Sequence, residues 1–215
     1  MTGTSAADGR RIGILGGTFN PPHLAHLLCA QEAHEQLGLD QVLFVPVATP
    51  PHKEAADDPG AATRVELCRL AVAGDERFAV STIEVDRGGA SYTVDTLREI
   101  HGTSPEDDLT FIVGGDMAFS LPSWREPAEV LRLARLAVAE RLELRRGDIL
   151  DAVSSIPGAA ERLAFFDLPR VDVSSSLVRR RVAGGRPIRY LVPDAVAEYI
   201  AQNGLYRSPV GIPIR

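Results

Sequence analysis

Short apolar, β-rich runs alternate with helical patterns through the first two thirds of the chain. The runs read RIGILG, QVLFVPV, FAVSTIEV, LTFIVGG and RLAVAE. The first, second and fourth are nearly continuous apolar segments, which is typical of strands buried on both faces. Between the runs, apolar side chains recur at helical spacing over residues 24–37, 62–73, 93–101 and 126–135. This alternation predicts an α/β protein built on a doubly wound parallel sheet.

The size and charge of the chain limit the number of domains and the classes of partner. A chain of 215 residues, 45% of them hydrophobic, can bury one sizeable core. We therefore expect a disordered N-terminus over residues 1–10, a single domain over residues 11–207 and a tail over residues 208–215. The net charge of -6 argues against nonspecific nucleic-acid binding, which needs a basic face. No apolar run approaches the ~20 residues that span a bilayer, so no membrane partner is expected.

The two cysteines are too few for a disulfide framework or a four-ligand zinc site. Cys29 and Cys68 both fall in helical patterns, so we interpret them as reduced packing residues. Reduced cysteines favour a cytoplasmic location for the protein.

Glycine-rich or polar segments follow three of the predicted strands. In a doubly wound sheet, ligands bind beyond the carboxyl ends of the strands, so the turns after Leu15, Phe44 and Val113 should share one crevice. Gly16 and Gly17 follow the first strand, where the lack of a Cβ lets the backbone turn and approach a ligand. We therefore expect the binding site at this edge of the sheet.

The segment GGTFNPPHLAH places two histidines where a helix should begin. A helix that starts near His23 or Leu24 offers amide hydrogens and the positive end of its dipole to a phosphate. At positions i and i+3, His23 and His26 can donate hydrogen bonds to one polyphosphate. Thr18 and Asn20 add polar groups at the same edge. The alternative is a tight turn followed by an ordinary first-turn histidine.

The segment PPHKEAADDPGA, residues 50–61, is rich in proline, glycine and charge, which is typical of a mobile loop. His52 and Lys53 lie on it, where a cation could close over bound phosphates; the alternative is a solvated loop charge. Arg64 falls in the first turn of the next helix, where a cation opposes the dipole. It either meets an anion there or pairs with Asp57.

Two later segments carry groups suited to a nucleotide. ASYTVDTL sets Tyr92 and Thr93 ahead of a helix, which Thr93 could cap instead of meeting a ligand. FIVGGDMAFSLPSW ends a strand with a second glycine-rich turn, Gly114 included, in which Asp116 suits a ribose hydroxyl. Trp124 could stack on a planar ring, although filling the core is the commoner use of a tryptophan.

The segment DVSSSLVRRR, residues 172–181, combines three serines with a basic helix. The serine hydroxyls, Ser175 among them, and the free amides of the helix start can cap the helix and face an anion. Arg179 and Arg181 follow one to two turns in. The alternative is a capped basic helix without a ligand.

Together these segments resemble the nucleotidylyltransferases that carry a His-x-x-His motif, and especially the nicotinate-nucleotide adenylyltransferases. The resemblance runs from Gly13 through GGTFNPPHLAH, SYTVDTL, GGDMAFSLPSW and VSSSLVRRR to RYLVPDAVAEYIAQNGLY, with the motifs in family order. Ala25 stands where the family usually has glycine, and Ser176 and Val178 are conservative departures at the serine motif. The resemblance implies a Rossmann-like α/β fold with a small C-terminal helical part.

The resemblance also implies a reaction in NAD (pyridine nucleotide) biosynthesis. The adenylyl group of ATP would pass to nicotinate mononucleotide, giving nicotinate adenine dinucleotide and pyrophosphate. Mg²⁺ would bind through the ATP phosphates, with no metal site in the protein itself. Two alternatives stay open: another adenylyltransferase of the superfamily, such as the phosphopantetheine type, and a nucleotide-binding module without turnover. Self-association is also left open.

Site residues follow residue by residue from the matching motifs. The implied catalytic residues are His23, His26, Lys53 and Arg179. The implied ATP-binding residues are Gly16, Gly17, Thr18, Phe19, His26, Gly114, Asp116, Ser175 and Arg179. The implied mononucleotide-binding residues are Asn20, His52, Lys53, Tyr92, Thr93 and Trp124.

Overall fold

The computed structural model describes residues 9–49, 57–140 and 145–207. The strands in these residues are β1 (Arg11–Gly17), β2 (Gln41–Pro46), β3 (Phe78–Val80), β4 (Asp108–Gly114), β5 (Ala134–Glu140) and β6 (Leu163–Asp167). All pair in parallel, in the order β3-β2-β1-β4-β5-β6. From β1 the strands are added first toward β3 and then, from β4 onward, toward β6. The connections that follow β1 and β4 therefore lie on opposite faces of the sheet, and a crevice opens between the ends of these two strands. The predicted doubly wound parallel sheet is confirmed.

Helices connect the strands and cover both faces. Within the described residues they are α1 (Leu24–Gln36), α2 (Ala61–Val72), α3 (Ile83–Arg87), α4 (Thr93–Thr103), α5 (Gly115–Phe119), α6 (Pro127–Leu133), α7 (Arg146–Val153), α8 (Ala159–Arg162), α9 (Ser175–Ala183) and α10 (Asp194–Gln202), with a 3-10 helix at Leu121–Ser123. The four helices predicted from apolar periodicity correspond to α1, α2, α4 and α6. None of the described helices is long and apolar enough to cross a membrane.

Alternate residues of each strand point to opposite faces of the sheet, so they pack in two hydrophobic cores, one on each face. Ile12 and Ile14 of β1 pack in a cluster with residues of α4 to α8, whereas Leu15 packs in a second cluster with α1 and α2. Cys68 is buried in this second cluster and Cys29 packs partly buried against it, as expected of packing residues.

A third cluster attaches the C-terminal helices to the sheet domain. Leu67 of α2 packs there with Val178 of α9 and with Val196 and Ile200 of α10. This is the small helical part implied by the resemblance, and it brings the end of the chain back to the start of α1.

The strand predicted over FAVSTIEV is wrong in its second half. Only Phe78–Val80 is extended, because Asp86 N–H donates to Thr82 O and Gly88 N–H donates to Glu84 O, which closes the helical turns of α3. β3 pairs with β2 alone, at the edge of the sheet, so no second neighbour extends it. The short edge strand β6 was not predicted at all.

Candidate active site

The turn between β1 and α1, residues 18–23, is termed the β1–α1 turn. Gly16 and Gly17 precede it as the last residues of β1, paired with β2, so the glycine turn predicted there is wrong. The left-handed residue is Phe19, with φ 49°. A Cβ on Gly17 would lie 3.1 Å from the Phe19 ring. A side chain at 17 would therefore press on this ring, which folds back over the strand end.

Three rings gather at the start of α1. Phe19 is 2% exposed, and its ring meets that of His26 edge to face at a centroid distance of 5.0 Å. The His23 and His26 rings stack with their centroids 3.7 Å apart. The structure thus brings the two histidines together as their spacing predicts. Because the Phe19 side chain is buried, the implied ATP contact of this residue is limited to its backbone.

A hydrogen bond between the two histidines selects the tautomer of His26. The backbone N–H of His23 donates to Nδ1 of His26 at 3.1 Å. A neutral His26 with Nδ1 as acceptor carries its proton on Nε2, the nitrogen that can donate to a phosphate oxygen. The backbone N–H of Leu24 already donates to Leu191 O at 3.0 Å. The side chain of His26 is therefore a better phosphate donor than this first amide of α1.

Residues near the end of the chain hold the β1–α1 turn through hydrogen bonds. Ser175 Oγ donates to Pro21 O at 2.8 Å. Arg179 Nη1 donates to Asn20 O, and the hydroxyl of Tyr206 donates to Asn20 Oδ1, both at 2.7 Å. We term the contributing residues the C-terminal clamp: Ser175, Arg179, Leu191 and Tyr206. The clamp joins the serine motif to the histidine motif through backbone carbonyls of the turn, and the implied phosphate contacts of Ser175 and Arg179 stay a prediction.

The residues of the DVSSSLVRRR segment have different hydrogen-bond partners. Ser174 is the N-cap of α9 and accepts the N–H of Leu177 at 3.2 Å. Ser176 Oγ accepts from Arg179 Nη2 at 3.4 Å. Arg181, in contrast, donates to Pro187 O at 2.7 Å and has no described contact with the β1–α1 turn. Arg179 is thus the arginine of this helix that the structure brings to the site.

Arg64 ties the β1–α1 turn to the turn after β2. Its side chain is 1% exposed, and Nη1 donates to Thr18 O at 3.1 Å and to Val47 O at 2.7 Å. Nη2 donates to Ala48 O, and Nε donates to Asp58 Oδ1, each at 3.0 Å. The expected pairing with Asp57 is wrong, since the carboxylate partner is Asp58. The guanidinium donates to protein acceptors in both turns, so Arg64 holds the two turns together.

The side of the crevice toward α4 carries the aromatic groups. Trp124 is half-buried, its ring meets Phe111 edge to face at 6.0 Å, and its Nε1–H donates to Ser120 Oγ at 3.1 Å. The tip of the Phe111 ring lies 3.4 Å from the position of a Cβ on Gly16. Trp124 therefore packs on the core through Phe111, which is the commoner use weighed for it, and its stacking on a planar ring stays a prediction.

Tyr92 and its neighbours complete this side. The Arg125 guanidinium lies 4.9 Å from the centre of the Tyr92 ring, so Tyr92 adjoins the Trp124 segment. Ser91 Oγ accepts the N–H of Ala48, which connects the segment to the turn after β2. Tyr92, and not Thr93, is the N-cap of α4, and no side chain caps that end. The capping alternative for Thr93 is therefore wrong.

Gly114 and Asp116 stand at the end of β4. Gly114 is not left-handed and is followed directly by α5, so the second glycine turn predicted from sequence is also wrong. A Cβ on Gly114 would lie 2.8 Å from Asp116 Oδ1. This exposed carboxylate thus lies beside the end of β4, and its contact with a ribose hydroxyl stays a prediction.

His52 and Lys53 lie outside the described residues. Sequence reasoning missed the clamp residues Leu191 and Tyr206 and the buried hydrogen bonds of Arg64. Tyr206 closes the RYLVPDAVAEYIAQNGLY segment that carried the resemblance, which was the one signal that pointed to it.

Comparison with known proteins shows the family to which the chain belongs. The family model described as cytidylyltransferase-like matches residues 14–181. A probable nicotinate-nucleotide adenylyltransferase of Citrifermentans bemidjiense is 45% identical over 211 residues, covering 91% of this chain and 98% of that protein. The one from Shouchella clausii is 43% identical over 201 residues, covering 92% and 97%. This chain is a member of the nicotinate-nucleotide adenylyltransferase family.

A solved family structure supports the fold. The Plasmodium falciparum nicotinic acid mononucleotide adenylyltransferase complexed with NaAD superposes with a TM-score of 0.75 at 18% identity, covering 92% of this chain and 97% of that one. In this chain, Ala25 stands where the family usually has glycine, and it is 6% exposed. The methyl group that replaces the usual glycine hydrogen is therefore buried.

Proposed function

We propose that this protein transfers the adenylyl group of ATP to nicotinate mononucleotide, giving nicotinate adenine dinucleotide and pyrophosphate in NAD biosynthesis. Identity of 43% and 45%, over 92% and 91% of this chain, to two proteins named for this reaction supports the assignment. The observation that carries it is the stacked His23 and His26 pair at the start of α1, with Nδ1 of His26 occupied by a backbone N–H. That pair presents an Nε2–H donor where a phosphate would meet the helix dipole.

The reaction needs no protein nucleophile. An oxygen of the mononucleotide's 5′-phosphate attacks the α-phosphorus of ATP, and the bond from that phosphorus to the oxygen bridging to the β-phosphate breaks. The electron pair leaves with pyrophosphate. Because the attacking phosphate is already an anion, catalysis consists of alignment and of stabilising charge on the phosphate oxygens.

Roles for the residues follow from their positions. His26 Nε2 contacts an α-phosphate oxygen, with His23 stacked behind it and Arg179 adding positive charge next to the β1–α1 turn. We propose that ATP lies along the remaining implied residues of that side: Gly16, Gly17, Thr18, the Phe19 backbone, Gly114, Asp116 and Ser175. The mononucleotide lies toward α4, against Tyr92, Thr93 and Trp124, with Asn20 behind the turn and His52 and Lys53 of the 50–61 segment as further contacts.

The described donors around the β1–α1 turn are imidazoles, a guanidinium, hydroxyls and amides, a set that suits anions. Among the described residues, no group of three or more His, Cys, Asp or Glu side chains could hold a metal ion. We therefore propose that Mg²⁺ enters on ATP, bound by phosphate oxygens and water, where it neutralises phosphate charge.

A coupled pyrophosphate assay tests the proposal. ATP is supplied with nicotinate mononucleotide, nicotinamide mononucleotide or phosphopantetheine as acceptor. We expect rapid pyrophosphate release with nicotinate mononucleotide. Release only with phosphopantetheine would favour the other adenylyltransferase type, and ATP binding without release would favour a module without turnover.

A further inference from the structure

Asn20 is held at two of its atoms by residues distant in sequence. It is 3% exposed, its backbone carbonyl accepts from Arg179, and its Oδ1 accepts from the Tyr206 hydroxyl. Its Nδ2 is buried and has no hydrogen-bond partner among the described residues. The Tyr206 hydroxyl is therefore the group that orients the Asn20 side chain within the described part of the chain.

Tyr206 is well suited to hold a partner in place. Its ring packs against the third cluster, formed by α2, α9 and α10, so the hydroxyl is anchored from behind. Burial raises the pKa of Tyr206 above its usual value, so the hydroxyl stays protonated and remains a donor through the neutral and mildly alkaline range. The hydroxyl can therefore donate to Asn20 throughout that pH range.

The Asn20 side chain is linked to the histidines by a short, stiff stretch of backbone. Pro21 and Pro22, both buried, separate Asn20 from His23 and fix their own φ angles. The N–H of His23 in turn holds Nδ1 of His26. A movement of Asn20 is therefore transmitted to the imidazole pair, because the two prolines between them leave the backbone little freedom to absorb it.

We propose that Tyr206 is a positioning residue for adenylyl transfer, acting through Asn20 to hold His23 and His26 in register with the α-phosphate. The proposal rests on the proposed function. Misplacing a catalytic group lowers the rate of the chemical step more than it weakens substrate binding, because many other contacts hold the substrate. Loss of the Tyr206 hydroxyl should therefore lower kcat more than it raises KM.

The test compares Tyr206→Phe with Tyr199→Phe as a matched control. Tyr199 packs on the same cluster, and its hydroxyl makes no hydrogen bond within the described residues. We expect Tyr206→Phe to lower kcat roughly tenfold, with the KM for ATP changed less than about twofold, and Tyr199→Phe to change neither. In an Asn20→Ala background, Tyr206→Phe should cause no further loss of kcat.

A measurement without substrate separates this proposal from the proposed function. The imidazole ¹⁵N resonances of His26 report its tautomer and environment, and we expect them to shift in Tyr206→Phe but not in Tyr199→Phe. Unchanged kcat and unchanged His26 resonances in Tyr206→Phe would overturn the proposal, as would an equal loss of kcat with and without Asn20→Ala. If the wild-type protein fails to adenylylate nicotinate mononucleotide but the resonances shift, the proposed function falls and the link from Tyr206 to His26 stands.

Discussion

Arg64 offers the sharpest test of how the crevice is built. Its buried guanidinium makes four hydrogen bonds, to the carbonyls of Thr18, Val47 and Ala48 and to Asp58. Arg64→Met keeps most of the side-chain volume and removes all four donors. At about 1 kcal/mol net for each bond the loss would reach about 4 kcal/mol. Water can reach acceptors in these half-exposed turns, so we expect the free energy of unfolding to fall by about 3 kcal/mol.

Urea unfolding and a thermal melt measure this loss. For a chain of this size, about 3 kcal/mol corresponds to a fall in Tm of roughly 6–12 °C. Arg69→Met on the same helix is the control: its side chain is 58% exposed, and it lies 3.8 Å from Glu66. That substitution should cost less than about 0.5 kcal/mol. A loss below about 1 kcal/mol for Arg64→Met, or equal losses for the two variants, would refute the role assigned to Arg64.

Four further predictions follow from the site and the core. His26→Ala should lower kcat by roughly 10²-fold with little change in Tm, whereas His34→Ala in the last turn of α1 should leave kcat unchanged; steady-state kinetics decide. Trp124→Ala should cost on the order of 1 to 3 kcal/mol in kcat/KM for either mononucleotide and leave the KM for ATP unchanged, and a selective loss for ATP would place Trp124 on the adenine side. Burial raises the pKa of the Cys68 thiol well above its usual value, so in a Cys29→Ser variant a thiol reagent at pH 8 should label Cys68 only after urea is added. The hydrogen bonds from Arg77 lower the pKa of Asp75 below 3.8, so the ionised Asp75 stabilises the fold above pH 3.8 and this stabilisation is lost as the pH falls through the lowered pKa. In acid titrations, the difference in unfolding free energy between wild type and Asp75→Asn should therefore shrink as the pH falls through that value.

The sequence was sufficient for the architecture because apolar periodicity is a local signal. The near-continuous runs of β1, β2 and β4 and the helical spacing of α1 and α2 can be read within short windows. β3 and β6 were harder to predict, since both lie at the edges of the sheet and each has one neighbour. Their extent depends on tertiary contacts that no short window contains.

The features of the site can be divided in the same way, into those that a local sequence signal predicts and those that depend on tertiary contacts. The His23 and His26 pair follows from helical spacing, and the structure contains it as predicted. The glycines were assigned to turns, yet both lie in strands, with the Phe19 ring close to Gly17 and the Asp116 carboxylate beside Gly114. The contact from Tyr206 to Asn20 spans 186 residues, and only the folded third cluster brings the two together.

The proposed reaction has the mononucleotide phosphate as the attacking group and the adenylyl group of ATP as the group transferred. It is tested most directly by supplying nicotinate mononucleotide with ¹⁸O in its 5′-phosphate and analysing both products by mass spectrometry. All of the label should stay in nicotinate adenine dinucleotide, and pyrophosphate should carry none. Label in pyrophosphate, or pyrophosphate release without a labelled dinucleotide, would contradict it.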